Sequence, residues 1–106
     1  MLIARKADRI FGPVGLEGVE FCGLRINEMQ GGAALVSMKK GVRFPTHNHK
    51  SNEQTLILSG VALIGGERLV EGDYLFTEAG EHHDVLAEED VVMYVTVEDG
   101  IEIIEG

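Results

Sequence analysis

The chain has 106 residues, 44% hydrophobic and 25% charged, a composition that suits one small globular domain and excludes a disordered tail. Eighteen acidic residues against nine basic give a formal charge of −9, which argues against nucleic acid or an anionic membrane as a main partner. No apolar run approaches the roughly 18 residues of a membrane helix, the N-terminus turns charged before a signal-peptide core forms, and lone Cys22 fits a reducing cytoplasm.

Fourteen glycines punctuate the chain, at Gly12-Pro13, Gly31-Gly32, Gly41, Gly60, Gly65-Gly66, Gly72, Gly80 and Gly100 among others. Short apolar or alternating runs lie between them. They predict strands near 2–6, 19–26, 33–39, 42–47, 53–59, 61–64, 67–70, 73–77, 83–86, 90–97 and 101–105. No window carries a sustained i, i+3, i+4, i+7 apolar stripe, so no substantial helix is expected. Turn signals this closely spaced belong to an all-β sandwich or barrel, here a single domain over 1–106 with no internal repeat.

The segment 53–59 is apolar on both faces. Thr55 and Ile57 point one way and Leu56 and Leu58 the other. A domain of about 100 residues has little material to cover both faces of every strand, so a homodimer is expected, with the second subunit on the Leu56 face.

His47 and His49 are two residues apart, which puts both imidazoles on one face of a strand with Asn48 turned away. Glu53 shares their parity and follows just after. Two imidazoles and a carboxylate converging on one face make three legs of a transition-metal site, and His83 at the start of a later strand offers a fourth. The plain alternative for H-x-H alone is a solvated polar turn.

Gly41-Val-Arg-Phe-Pro-Thr-His47-Asn-His49-Lys-Ser-Asn-Glu53, continued to Gly60, reads G-x5-H-x-H-x3-E-x6-G. It resembles the first motif of the cupin superfamily, over 41–60, without a departure. Gly72 to Ala87 resembles the second motif, over 72–87. Both glycines and His83 are kept, with Glu78 where the motif has proline and Ala87 where it has asparagine. The resemblance implies a cupin double-stranded β-helix, an antiparallel jelly-roll barrel. It also implies one divalent transition metal ion (Fe, Mn, Ni, Cu, Co or Zn) held by His47, His49, Glu53 and His83. Motif spacing selects His83 over its neighbour His82, which by strand alternation faces away.

Arg43, Tyr74 and Tyr94 are weighed as barrel-lining residues and read more simply as structural. Met38 and Met93 read as core filler, Cys22 as a small buried hydrophobe, and Glu88-Glu89-Asp90 as a solvated turn. The function expected from the resemblance is a metal-dependent enzyme, foremost an Fe(II)-type dioxygenase acting on a small molecule in the barrel. Isomerase, cyclase or decarboxylase chemistry is an alternative of the same kind. A non-catalytic, zinc-holding sensor similar to anti-sigma factor cupin domains, or a plain metabolite-binding barrel, stands beside it.

Overall fold

The computed structural model describes residues 1–105 and is built almost wholly of antiparallel strands. They are β1 (Gly12–Pro13), β2 (Val19–Ile26), β3 (Gln30–Met38), β4 (Arg43–His49), β5 (Glu53–Ser59), β6 (Val61–Ile64), β7 (Glu67–Val70), β8 (Tyr74–Thr77), β9 (His82–Ala87), β10 (Val91–Asp99) and β11 (Ile101–Ile103). One sheet has the order β1-β2-β3-β10-β5-β8 and the other β11-β4-β9-β6-β7. Neighbours in sequence often lie in opposite sheets, as β4 and β5 do. That is how a jelly roll brings distant segments over one interior.

Alternation supplies the core. Val19, Val36, Met38, Ile57, Val91 and Met93 point inward from the first sheet, and Phe44, Ala62, Ile64, Val85 and Ala87 from the second. Ile57 is fully buried, and truncating such a side chain to alanine costs about 2–5 kcal/mol. Gly60 joins β5 to β6 at φ +84, and a Cβ there would collide with the backbone carbonyl of Asp90. Only glycine meets both demands.

Residues 2–6 form no strand, contrary to expectation. They run as irregular chain into a single 3-10 turn at Lys6–Asp8. The apolar run Met1–Ala4 has the composition of a strand, but no neighbouring strand takes up its backbone hydrogen bonds, and its side chains stay exposed. The strand expected over 42–47 extends to His49, and that over 101–105 ends at Ile103.

Candidate metal centre

A β-bulge shapes β4. Phe44 pairs with Val85 and His47 with His83, so three steps along β4 match two along β9. The extra residue lets Phe44 and His47 both face inward although they differ in parity. Pro45 lies in the bulge, where its missing N–H costs no ladder bond. Its carbonyl stands 2.9 Å from His47 Nδ1.

His49 continues the inward face and is 1% exposed. The turn between β8 and β9 clasps it. Gly80 N–H donates to the His49 carbonyl (2.8 Å), and the Glu81 carbonyl lies 2.7 Å from His49 Nδ1. Glu78, which replaces the motif proline, donates its backbone N–H to Glu81 Oε2 at 2.6 Å, a bond proline could not make. Ala87, which replaces the motif asparagine, is buried in the core.

The barrel brings His47, His49 and His83 together. One ligand nitrogen from each lies within 4.8 Å of the others, and the ring centroids are 4.4–4.9 Å apart. Glu53 is buried on the neighbouring inward face, its Oε1 3.6 Å from His49 Nε2, and it accepts a 3.4 Å hydrogen bond from Thr55 Oγ1. His82 pairs in register with Asn48 on the outer face and is exposed, as strand alternation requires.

The donor chemistry fits a divalent transition-metal ion. With a backbone carbonyl beside Nδ1 of His47 and of His49, the neutral form of each ring would carry its proton there and offer the Nε2 lone pair. His49 Nε2 is buried without a hydrogen-bond partner, a state that costs about 1–3 kcal/mol unless something compensates it. Two nitrogens at about 2.1 Å from one ion lie up to about 4.2 Å apart, so small side-chain rotations close the observed spacing.

Burial holds His83 down to about 4, reinforced by the facing His49 and His47, and burial likewise lowers His47. Burial opposes charge on His49 too, but the Glu53 carboxylate and the Glu81 carbonyl outweigh it, and His49 is raised. Two of the three imidazoles are therefore kept neutral, the form that ligates.

A cavity of about 160 Å³ opens beside these rings. His47, Glu53, Thr55 and His83 form its polar wall, and Phe21, Val36, Val85, Met93 and Val95 contribute to its apolar one. It reaches the end of the barrel where Gln30 of the β2–β3 turn meets Gly100.

Arg43, Tyr74 and Tyr94 do not line this space. Arg43 is exposed and paired with Asp84 (2.8 Å) and Glu105 (2.6 Å). Tyr74 donates to Gln54 Oε1 on the outer face of the first sheet, and Tyr94 pairs with Leu56 on that face. Cys22 is buried but does not line the cavity beside the rings. Sequence reading missed Thr55 as the Glu53 partner, although shared parity could have found it. It also missed Thr77, whose buried hydroxyl has no partner and which sits opposite Glu53 in the β5–β8 register. The Glu81 carbonyl has no side-chain signal at all.

Comparison with known proteins places this geometry in a family. A chain of the complex between Rhodobacter sphaeroides SigE and the anti-sigma ChrR is 25% identical, with a TM-score of 0.76 over 89% of this chain and 52% of that one. An acetylacetone dioxygenase from Acinetobacter johnsonii superposes with a TM-score of 0.82 at 16% identity, over 99% of this chain and 77% of that one. The polyketide cyclase RemF from Streptomyces resistomycificus gives 0.76 at 15% identity, over 100% and 87%. These last two share the fold. The DNA damage-repair/toleration protein DRT102 of Arabidopsis thaliana is 36% identical over 70 residues, 60% of this chain and 23% of that protein, so the chain spans about a quarter of that relative's length. The family described as the ChrR Cupin-like domain matches residues 2–101, and with its two-sheet jelly roll and its inward histidines the chain belongs to the cupins of that family.

Proposed function

We propose that the chain holds one divalent transition-metal ion through His47, His49, Glu53 and His83 and acts with it on a small molecule in the adjoining cavity, foremost as an Fe(II)-type dioxygenase. The observation that carries this is the convergence of three imidazoles, His49 with an orphaned buried Nε2 and His47 and His83 on the wall of a largely apolar cavity. Bound there, the ion would supply Lewis acidity and a point of attachment for substrate. The residues do the rest: the Pro45 and Glu81 carbonyls fix two rings, Thr55 orients Glu53, and Phe21, Val36 and Val95 give the cavity an apolar wall. The acetylacetone dioxygenase and RemF show that barrels of this shape serve both oxygenase and cyclase roles. Metal analysis of protein purified without a histidine tag, followed by oxygen uptake with a panel of chelating substrates, tests this. Iron content with substrate-dependent oxygen consumption supports the enzyme, and zinc with none overturns it.

The family itself favours a second reading, a metal-holding regulatory module, since the matching family description and one solved relative are those of an anti-sigma factor. Four protein ligands around zinc would close the site. The proposal also includes a homodimer. Its support is the exposed apolar outer face of the first sheet, with Leu58, Tyr74 and Phe76 39%, 56% and 48% exposed. Light scattering that shows a monomer at micromolar concentration removes it, and Leu56→Glu should weaken the dimer if this face is the interface. Among the described residues no helix is long and apolar enough to cross a membrane.

A further inference from the structure

The cavity beside the imidazoles limits what can occupy it. It measures about 160 Å³, close to the roughly 150 Å³ of an engineered apolar cavity that accepts benzene. The part of an occupant held inside it is therefore on the order of six to eight non-hydrogen atoms, and the cavity opens at the end of the barrel. Among the described residues no lysine or arginine lines it, and Glu53 is its sole carboxylate. Beyond the polar wall, the lining side chains are almost all hydrocarbon, from Phe21, Val36 and Ile64 to Val95 and Val97. A charged tail placed there meets no counter-charge and no ring of hydrogen-bond donors, and burying an unpaired charge is strongly unfavourable.

Charge at the inner end adds a second constraint. Three neutral imidazoles, one carboxylate and a divalent ion sum to +1. A ligand that chelates as a monoanion brings that sum to zero at the inner end of a largely apolar cavity, where a residual charge is costly.

From these two constraints we propose that the cavity selects a short chelator that binds the ion as a monoanion through one end and carries an uncharged alkyl remainder, and that it rejects molecules of the same chelating group with a carboxylate or ammonium tail. This rests on the metal reading above. Amino acids, dicarboxylates and phosphate esters short enough to keep their charged end inside the cavity are thereby disfavoured as ligands, and short hydrocarbon-tailed enols, hydroxyketones or hydroxamates are admitted.

A hydroxamate series tests it, because the metal-binding group stays constant while the tail varies. Cobalt(II)-loaded protein is titrated with acetohydroxamic acid, butyrohydroxamic acid, succinic acid monohydroxamate and glycine hydroxamate. Calorimetry gives each Kd, and the visible cobalt band reports engagement of the ion. Two added methylenes should tighten the butyryl compound about tenfold over the acetyl one. The succinyl and glycyl compounds should bind at least about tenfold more weakly than the butyryl. Val97→Arg, which places a cation on the half-buried cavity wall, should reverse the order of the butyryl and succinyl compounds. Equal or tighter binding of the succinyl compound to the wild-type protein overturns the inference and leaves the metal reading intact. Retained cobalt with no binding by any of the four overturns it as well, and indicates a closed site. Failure to take up cobalt, or loss of neither ion nor affinity in His83→Ala, overturns the metal reading and the inference together.

Discussion

His47 Nδ1 lies 2.9 Å from the carbonyl oxygen of Pro45, two residues back in the same strand. The bulge between Phe44 and His47 turns that carbonyl toward the ring. One irregularity in the ladder therefore does two things: it aims the imidazole inward and fixes which nitrogen bears the proton.

Stability should depend on pH, and more so with metal. His83 and His47 are both held below the ordinary histidine value, and for His83 the unfolded chain binds more protons than the folded one between about pH 4 and 6.5, with His47 acting in the same sense. Their contribution is fully present above about pH 6.5 and is lost as pH falls, for His83 toward 4. His49 is raised and works in the opposite sense, with stability present at low pH and lost as pH rises, which offsets part of the effect. Urea unfolding of chelator-treated protein should therefore show lower stability at pH 4.5 than at pH 7. Metal-loaded protein should show a larger difference, because protons compete with the ion, and a hundredfold excess over Kd adds about 2.7 kcal/mol only where binding persists. Equal chelator effects on Tm at pH 7 and pH 5 count against the linkage.

Much of this was legible in the sequence. Glycine punctuation and alternation located ten of the strands, and H-x-H with His83 named the three histidines that the barrel groups, with Glu53 buried beside His49. What strand alternation could not show is the bulge at Pro45 and Thr46, because parity counted from Phe44 would send His47 outward. The segment 2–6 misled for a different reason. Its side chains suit a strand, but a strand needs a neighbour to pair with, which composition does not reveal. The Glu81 carbonyl on His49 was invisible because backbone acceptors leave no signature in residue type.

Arg43 should matter to the C-terminal segment and not to the metal. Its guanidinium pairs with Asp84 and, through two nitrogens, with Glu105, and these partners raise it further above its already high value while Glu105 is held down to about 2. Arg43→Ala should speed hydrogen exchange at Ile103 and Ile104 and leave metal content unchanged. The same acceleration should appear in the wild-type protein at high salt, since the pair is solvent-exposed and screened. Unchanged exchange in the variant would show that β11 is held by its ladder with β4 alone.

Gln30 adopts φ +62 at the β2–β3 turn, a left-handed conformation that a side chain disfavours by roughly 1–2 kcal/mol. The Asn27 side chain holds the turn, accepting from the backbone N–H groups of Met29 (2.9 Å) and Gly31 (2.8 Å) and donating to the Glu98 carbonyl (2.7 Å). Gln30→Gly should raise stability by up to about 1 kcal/mol after the entropy glycine adds to the unfolded chain. Asn27→Ala should lower it by about 1–3 kcal/mol through the three bonds lost. Chemical denaturation measures both, and a destabilised Gln30→Gly would mean that the Gln30 side chain makes contacts worth more than the strain.

The assignment of the metal ligands is tested most directly by metal stoichiometry in untagged wild-type protein, His82→Ala and His83→Ala, measured by plasma mass spectrometry. His83 faces His47 across the β4–β9 ladder on the inward side, and His82 faces Asn48 on the outer side. About one ion per chain is expected in the wild type and in His82→Ala, and nearly none in His83→Ala. An ion retained by His83→Ala, or lost from His82→Ala, contradicts the assignment.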